Sequence, residues 1–222
     1  MNIKIIKLGI IGIILVFLIF VFVSCCKNIK IDEFTPSAVM FVIDSSASNQ
    51  AKLEEQKKFV KQVCNRLDPE DKIKIIRVSE EAYLIFEGSP HSSKNITDSM
   101  NEFTKYDSKD WGTAYGIGLK KAFDYAKSMN KEGYTPSIVV VGDLENEGKV
   151  EKQVNWNTLP NDIKSIQNLA PKFAIMFAFA HPKKLDIVKT KLGPVLGETR
   201  LVISTEQNLD KSINKFLSAI ER

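Results

Sequence analysis

Asp44, Ser46 and Ser48 occupy alternate positions in the stretch Val39-Met40-Phe41-Val42-Ile43-Asp44-Ser45-Ser46-Ala47-Ser48. The run is apolar and β-branched up to one carboxylate and then presents two hydroxyls, the pattern of a buried strand emerging into a loop. Oxygens gathered at a strand end suit a hard cation such as magnesium, which takes oxygen ligands in tight octahedral geometry with few carboxylates. The same residues also have a plainer reading, in which Asp44 ends the strand and Ser46 or Ser48 caps the next helix.

Two later positions carry related chemistry. Asp110-Trp111-Gly112-Thr113 is turn-like and feeds a helical stretch. Thr113 therefore brings a hydroxyl to a helix N-terminus, and Gly112 allows close backbone approach. Residues 137–141 are continuously apolar and Gly142-Asp143 follows at once, which puts a second carboxylate at a second strand end.

These residues need a scaffold, and the hydrophobic periodicity describes one. Residues 38–43 show no polar alternation, so the strand they form is expected to be covered on both faces, as central strands of parallel sheets are. Within 52–67, Val60, Val63, Cys64 and Leu67 recur at i, i+3, i+4 and i+7, an amphipathic helix that Asp68-Pro69 ends. Residues 72–78 and 82–86 are two strands at hairpin spacing across Ser79-Glu80-Glu81, hence an antiparallel edge. A helix of mixed polarity is expected over 96–106, and another over 114–129 with Leu119, Ala122, Phe123 and Ala126 as its buried stripe. Helices over 161–169 and 184–192, strands over 173–180 and 200–204, and a closing helix that buries Leu209, Ile213, Phe216, Leu217 and Ile220 complete the chain. The alternation implies an α/β fold with a largely parallel sheet between helices. Ligands of such sheets bind beyond the carboxyl ends of the strands, near the point where strand order reverses. Asp44, Asp143 and Thr113 all fall at that edge.

The D-x-S-x-S run, the Gly-Thr turn before a helix containing Leu119 and Ala122, and the aspartate after a later strand together resemble the metal-ion-dependent adhesion site of von Willebrand factor A (VWA) domains. The resemblance covers about residues 37–222. It implies a three-layer Rossmann-like fold, with a mostly parallel sheet, one antiparallel edge strand and helices on both faces. The family usually has a glycine where Trp111 stands, and Thr-Asp-Gly where this chain has Gly142-Asp143-Leu144. By resemblance, Ser46, Ser48 and Thr113 contact a divalent cation, magnesium or else manganese or calcium, while Asp44 and Asp143 act largely through bound waters. A carboxylate from a protein partner then completes the octahedron. Two carboxylates ~5 Å apart repel by roughly 3 kcal/mol at an effective dielectric of about 20, so a cation between them is stabilising.

The N-terminus is membrane-directed. Leu8 to Val23 is an uncharged apolar run, preceded by Lys4 and Lys7 and followed by Ser24-Cys25-Cys26. As a helix it covers about 24 Å, short of a ~30 Å hydrocarbon core unless residues 3–6 join it. A positive flank, an apolar run and a small residue before a cysteine resemble a bacterial lipoprotein signal acylated at Cys25, with Phe22 where an aliphatic is usual. An uncleaved signal anchor is the alternative. Both place the remainder in the cell envelope, outside the cytoplasm. The expected organisation is a leader over 1–26, a linker over 27–36 and one domain over 37–222.

Composition bounds the partners. The chain of 222 residues is 44% hydrophobic and 26% charged, which suits one globular domain plus a leader. Lys4 and Lys7 are two of its 31 basic residues and none of its 27 acids lies in the leader, which leaves the rest at a balance of +2. No clustered basic face points to nucleic acid. Cys64, on the apolar face of its helix, is expected to be packing rather than chemistry. His91 and His181 are expected in loops, no G-x-S-x-G elbow or phosphate-binding glycine loop occurs, and Ser46 breaks the D-x-D of aspartate phosphatases. The expected function is thus non-enzymatic: an exported, membrane-tethered module that binds a protein partner carrying an acidic residue through a divalent cation. The alternatives are a metal-independent VWA-like scaffold in an envelope complex and a hydrolase using a histidine.

Overall fold

The computed structural model describes residues 35–103, 112–145 and 149–220, with backbone alone at 47, 48, 103 and 206. The leader, the greater part of the linker, Trp111 and Asn146 to Gly148 lie outside the described residues. Among those described, six strands form one sheet in the order β3-β2-β1-β4-β5-β6. They are β1 (Ser37–Asp44), β2 (Lys72–Val78), β3 (Ala82–Gly88), β4 (Thr135–Val141), β5 (Ala174–Ala178) and β6 (Leu201–Ser204). All neighbours are parallel except β2 and β3. The helices are α1 (Leu53–Cys64), α2 (Ser93–Phe103), α3 (Tyr115–Lys131), α4 (Leu159–Gln167), α5 (Pro182–Arg200) and α6 (Leu209–Ile220).

β1 is the central strand, and all eight of its residues are buried. Its side chains alternate between two cores, because successive Cβ atoms point to opposite faces of a sheet. Met40 and Val42 join Leu119, Ala122 and Phe123 of α3, Ile163 of α4 and Val188 of α5. Val39, Phe41 and Ile43 join Phe59 and Val63 of α1, Ile96 of α2 and Phe216 of α6. The expectation of a strand covered on both faces holds, and the result is a helix–sheet–helix sandwich. α3 lies close on the sheet because Gly118 has no side chain. A Cβ there would stand 2.5 Å from Val78 Cγ2 and 3.0 Å from Val42 Cγ1. That contact brings the start of α3 over the carboxyl ends of β1 and β2.

The strand order reverses at β1, between β2 and β4. Successive connections run outward on one side to β3 and on the other to β6, so a crevice opens between β1 and β4 at their carboxyl ends. Departures from the expected bounds have local causes. β5 stops at Ala178 rather than residue 180 because Phe179 takes φ 66°. α5 starts earlier, at Pro182, whose missing N–H costs nothing in a first helical turn, and His181 caps it by accepting from Lys183 N at 3.3 Å. It also runs past Gly193-Pro194 to Arg200, across non-helical backbone at Gly197. No helix of the described residues is long and apolar enough to cross a membrane.

Candidate metal centre

Three loops meet at the β1–β4 crevice. The first follows β1. Ser45 N donates to Val78 O at 2.8 Å, which pins the loop to β2. Asp44 is fully buried, and its Oδ1 accepts from Ser46 N at 2.8 Å, a short-range turn that aspartate favours. The Ser46 hydroxyl also bonds this carboxylate. Oδ2 accepts from Asn49 Nδ2 and from the Tyr115 hydroxyl, the latter at 2.7 Å. Asn49 is held in turn by Gln56 Nε2, which donates to its Oδ1 at 3.0 Å.

The second loop precedes α3. Gly112 adopts φ 115°, and Ala114 N donates to Ser79 O at 2.6 Å. Thr113 between them is fully buried. Its Oγ1 has no hydrogen-bond partner among the described residues, a state shared there only with Gln56 Oε1 and Ser137 Oγ. Buried hydroxyls are nearly always satisfied, so an orphan at this position calls for an explanation such as an ion or water.

The third loop follows β4. Gly142 N donates to Ala178 O at 3.0 Å and His181 N to Asp143 O at 2.9 Å, which tie the loop to β5 and the start of α5. Asp143 is half-buried, and its Oδ1 accepts from Glu145 N at 2.8 Å. Leu144, where a glycine is usual, keeps a left-handed backbone at φ 62° and is almost fully buried. Apolar packing holds a conformation that glycine would adopt freely, at a cost of about 1 kcal/mol or more.

Burial is the dominant electrostatic fact. It pushes the Asp44 carboxyl up to about 7, against the opposing pull of Ser46 and Tyr115, and the charge of Asp143 pushes the same way as burial. Burial also holds the Tyr115 phenol well above its usual value of 10, followed by the charges of Asp44 and Asp143. A buried carboxylate facing a second one is under-compensated, which a divalent cation would relieve.

Of the five expected ligands, the fold brings Asp44, Ser46, Thr113 and Asp143 to one sheet edge. Ser48 lies in the 3₁₀ turn Ala47–Lys52 beside them, and its side chain is outside the described residues. The donor set fits a hard cation: oxygens only, few carboxylates and one buried hydroxyl without a partner among the described residues. Sequence reasoning missed Tyr115, Asn49 and Gln56. The signal for Tyr115 lay elsewhere, in the glycine at 142. A Cβ on Gly142 would stand 2.1 Å from the Tyr115 hydroxyl and 2.6 Å from Asp44 Cβ, and its φ is 146°. Gly142→Ala is therefore expected to lower stability by about 3 kcal/mol in urea denaturation, through overlap and backbone strain.

The other reactive groups are elsewhere occupied. Cys64 is buried, and burial pushes its thiol up to about 12, the state of a packed rather than a reactive cysteine. His91 Nε2 meets Leu67 O at 2.9 Å on the surface, and His181 caps α5.

A mostly parallel sheet with helices on both faces and an oxygen-rich crevice at its reversal point defines an α/β domain of the Rossmann-like class. More narrowly, the chain belongs to the von Willebrand factor type A domain family, whose sequence profile matches residues 39–170. Solved structures share the fold. A von Willebrand factor type A protein from Catenulispora acidiphila aligns over 84% of this chain and 43% of its own at 15% identity, with a TM-score of 0.60. This chain thus spans less than half of that protein's length. An aerotolerance-related membrane protein from Bacteroides fragilis aligns over 83% of this chain and 98% of its own at 18% identity, with a TM-score of 0.53. The manganese-loaded TRAP protein of Plasmodium vivax aligns over 84% of this chain and 74% of its own at 9% identity, with a TM-score of 0.59. Among curated proteins none matches the sequence.

Proposed function

We propose that this domain is a protein-interaction module that captures its partner through a divalent cation held by Asp44, Ser46, Ser48, Thr113 and Asp143. The observation that carries the reading is the buried Thr113 hydroxyl, which has no hydrogen-bond partner among the described residues, at the position where the family resemblance places a ligand. The donor chemistry favours magnesium or manganese, and the manganese-loaded relative supports a metal in this fold. A bound cation supplies an incompletely neutralised positive point that an acidic side chain of a partner can complete. Asp44 and Asp143 set the charge of the crevice, Ser46 orients Asp44, and Thr113 offers a neutral oxygen from the start of α3.

The leader, with Lys4 and Lys7 before an apolar run and Cys25 after it, supports display from a membrane on the outer side, by lipid or by an uncleaved anchor. The Bacteroides fragilis relative, a membrane protein, agrees with that placement. The test is differential scanning fluorimetry and affinity capture with the purified chain. Millimolar magnesium or manganese is expected to raise the melting temperature by several degrees, and chelation to abolish capture of the partner. A melting temperature indifferent to both ions counts against the metal reading.

One observation favours a second reading, a scaffold that binds without metal. Asp44 Oδ2 is already bonded by Asn49 and Tyr115 in the protein's own framework. Capture that persists in chelator would select it.

A further inference from the structure

Tyr115 lies outside the set of ligands that the D-x-S-x-S, Gly-Thr and strand-end Asp motifs supply, yet its hydroxyl touches two of the three loops. It donates to Asp44 Oδ2 at 2.7 Å and accepts from Leu144 N at 3.3 Å. The ring is fully buried among the α3-side core, so it has one position available. At residue 142, where the family pattern has threonine, this chain has glycine. The space a side chain would enter there is filled by the tyrosine hydroxyl, 2.1 Å from the site of the missing Cβ. A hydroxyl reaches this spot from α3 instead of from the β4 loop. The glycine and the tyrosine are thus two halves of one arrangement.

Resting on the metal reading above, we infer that Tyr115 is a positioning residue of the metal centre, a strut that sets the spacing between the Asp44 loop and the Asp143 loop. Two features make this more than packing. The hydroxyl and Asn49 together engage Oδ2, and Ser46 N engages Oδ1, so the carboxylate is locked in rotation. Leu144, the other end of the strut, immediately follows Asp143 and holds a left-handed backbone. Releasing the Leu144 amide would let that loop relax and move Asp143 relative to Asp44. Groups that orient metal ligands from outside the coordination sphere commonly affect metal affinity by about 10- to 100-fold when removed.

The test uses the full chain in detergent with manganese as the probe, and compares wild type, Tyr115→Phe and Asn49→Ala by isothermal titration. Tyr115→Phe keeps the ring and removes only the strut. Its manganese affinity is expected to fall at least about tenfold. Asn49→Ala removes the other donor to the same oxygen but leaves the strut in place, so its loss should be clearly smaller. Equal affinity in wild type and Tyr115→Phe overturns the inference, and so do equal losses in the two variants. Failure of wild type to bind manganese overturns the metal reading itself and this role with it. Hydrogen exchange on the metal-free wild type provides a check that needs no variant. The Leu144 amide is expected to be protected, and exchange at the rate of an exposed loop overturns the strut.

Discussion

Asp44→Ala is expected to reduce manganese or magnesium affinity by about 100-fold and to bring partner capture down to its level in chelator. The size of the effect follows from where the carboxylate sits. It is the fully buried carboxylate of the candidate centre and the hub of its hydrogen bonds, meeting Ser46, Asn49 and Tyr115. Removing it deletes half the carboxylate charge of the crevice and leaves the Asn49 amide and the Tyr115 hydroxyl without their acceptor. Each orphaned buried donor costs about 1–3 kcal/mol, so Asp44→Asn is the companion variant. It keeps the shape and one acceptor while removing the charge. Isothermal titration and capture on both variants separate the effects. If Asp44→Asn folds as wild type and still captures the partner in chelator, the metal-free scaffold is the correct account.

The second large effect concerns pH. In the unfolded chain Asp44 ionises near the ordinary 3.8, whereas in the metal-free fold burial raises it to about 7. The folded state therefore holds a proton that the unfolded state has lost. Stability from this group is full below about pH 4, falls as pH rises between about 4 and 7, and is flat above. At about 1.4 kcal/mol per pKa unit, the loss across that window is about 4 kcal/mol. Urea denaturation of the metal-free protein at pH 5 and pH 8 is expected to show the part of this decline above pH 5, about 3 kcal/mol, and Asp44→Asn is expected to remove most of it. A wild-type stability that rises across the same window would contradict the account. Burial of this carboxylate thus makes metal-free folding at neutral pH costly, which agrees with the proposed role of the crevice in holding a cation.

Much of this was legible in the chain. β1 could be recognised because six apolar residues in a row fit only a strand covered on both faces, and both cores confirm it. The stripe Leu119, Ala122, Phe123 and Ala126 identified α3 and the face it buries. Asp44, Thr113 and Asp143 were placed at one edge by the order of strands and helices alone. The longer α5 was less legible, since Gly193-Pro194 reads as a stop. A proline removes only its own N–H and can be carried in a helix that packs Val188, Leu192 and Leu196 into the core.

What the sequence by itself determined is therefore the architecture and the identity of the candidate ligands. Both depend on local periodicity and on a few motifs whose residues stand close together in the chain. What only the tertiary structure decided is how those ligands are held. The bond from Tyr115 to Asp44 spans 71 positions, and the one from Leu144 to Tyr115 spans 29. No periodicity encodes such contacts, because they arise only when α3 settles on the sheet against Val42 and Val78. The glycine at 142, which reads in the sequence as a lapse from the family pattern, is in the fold the space that the tyrosine hydroxyl fills.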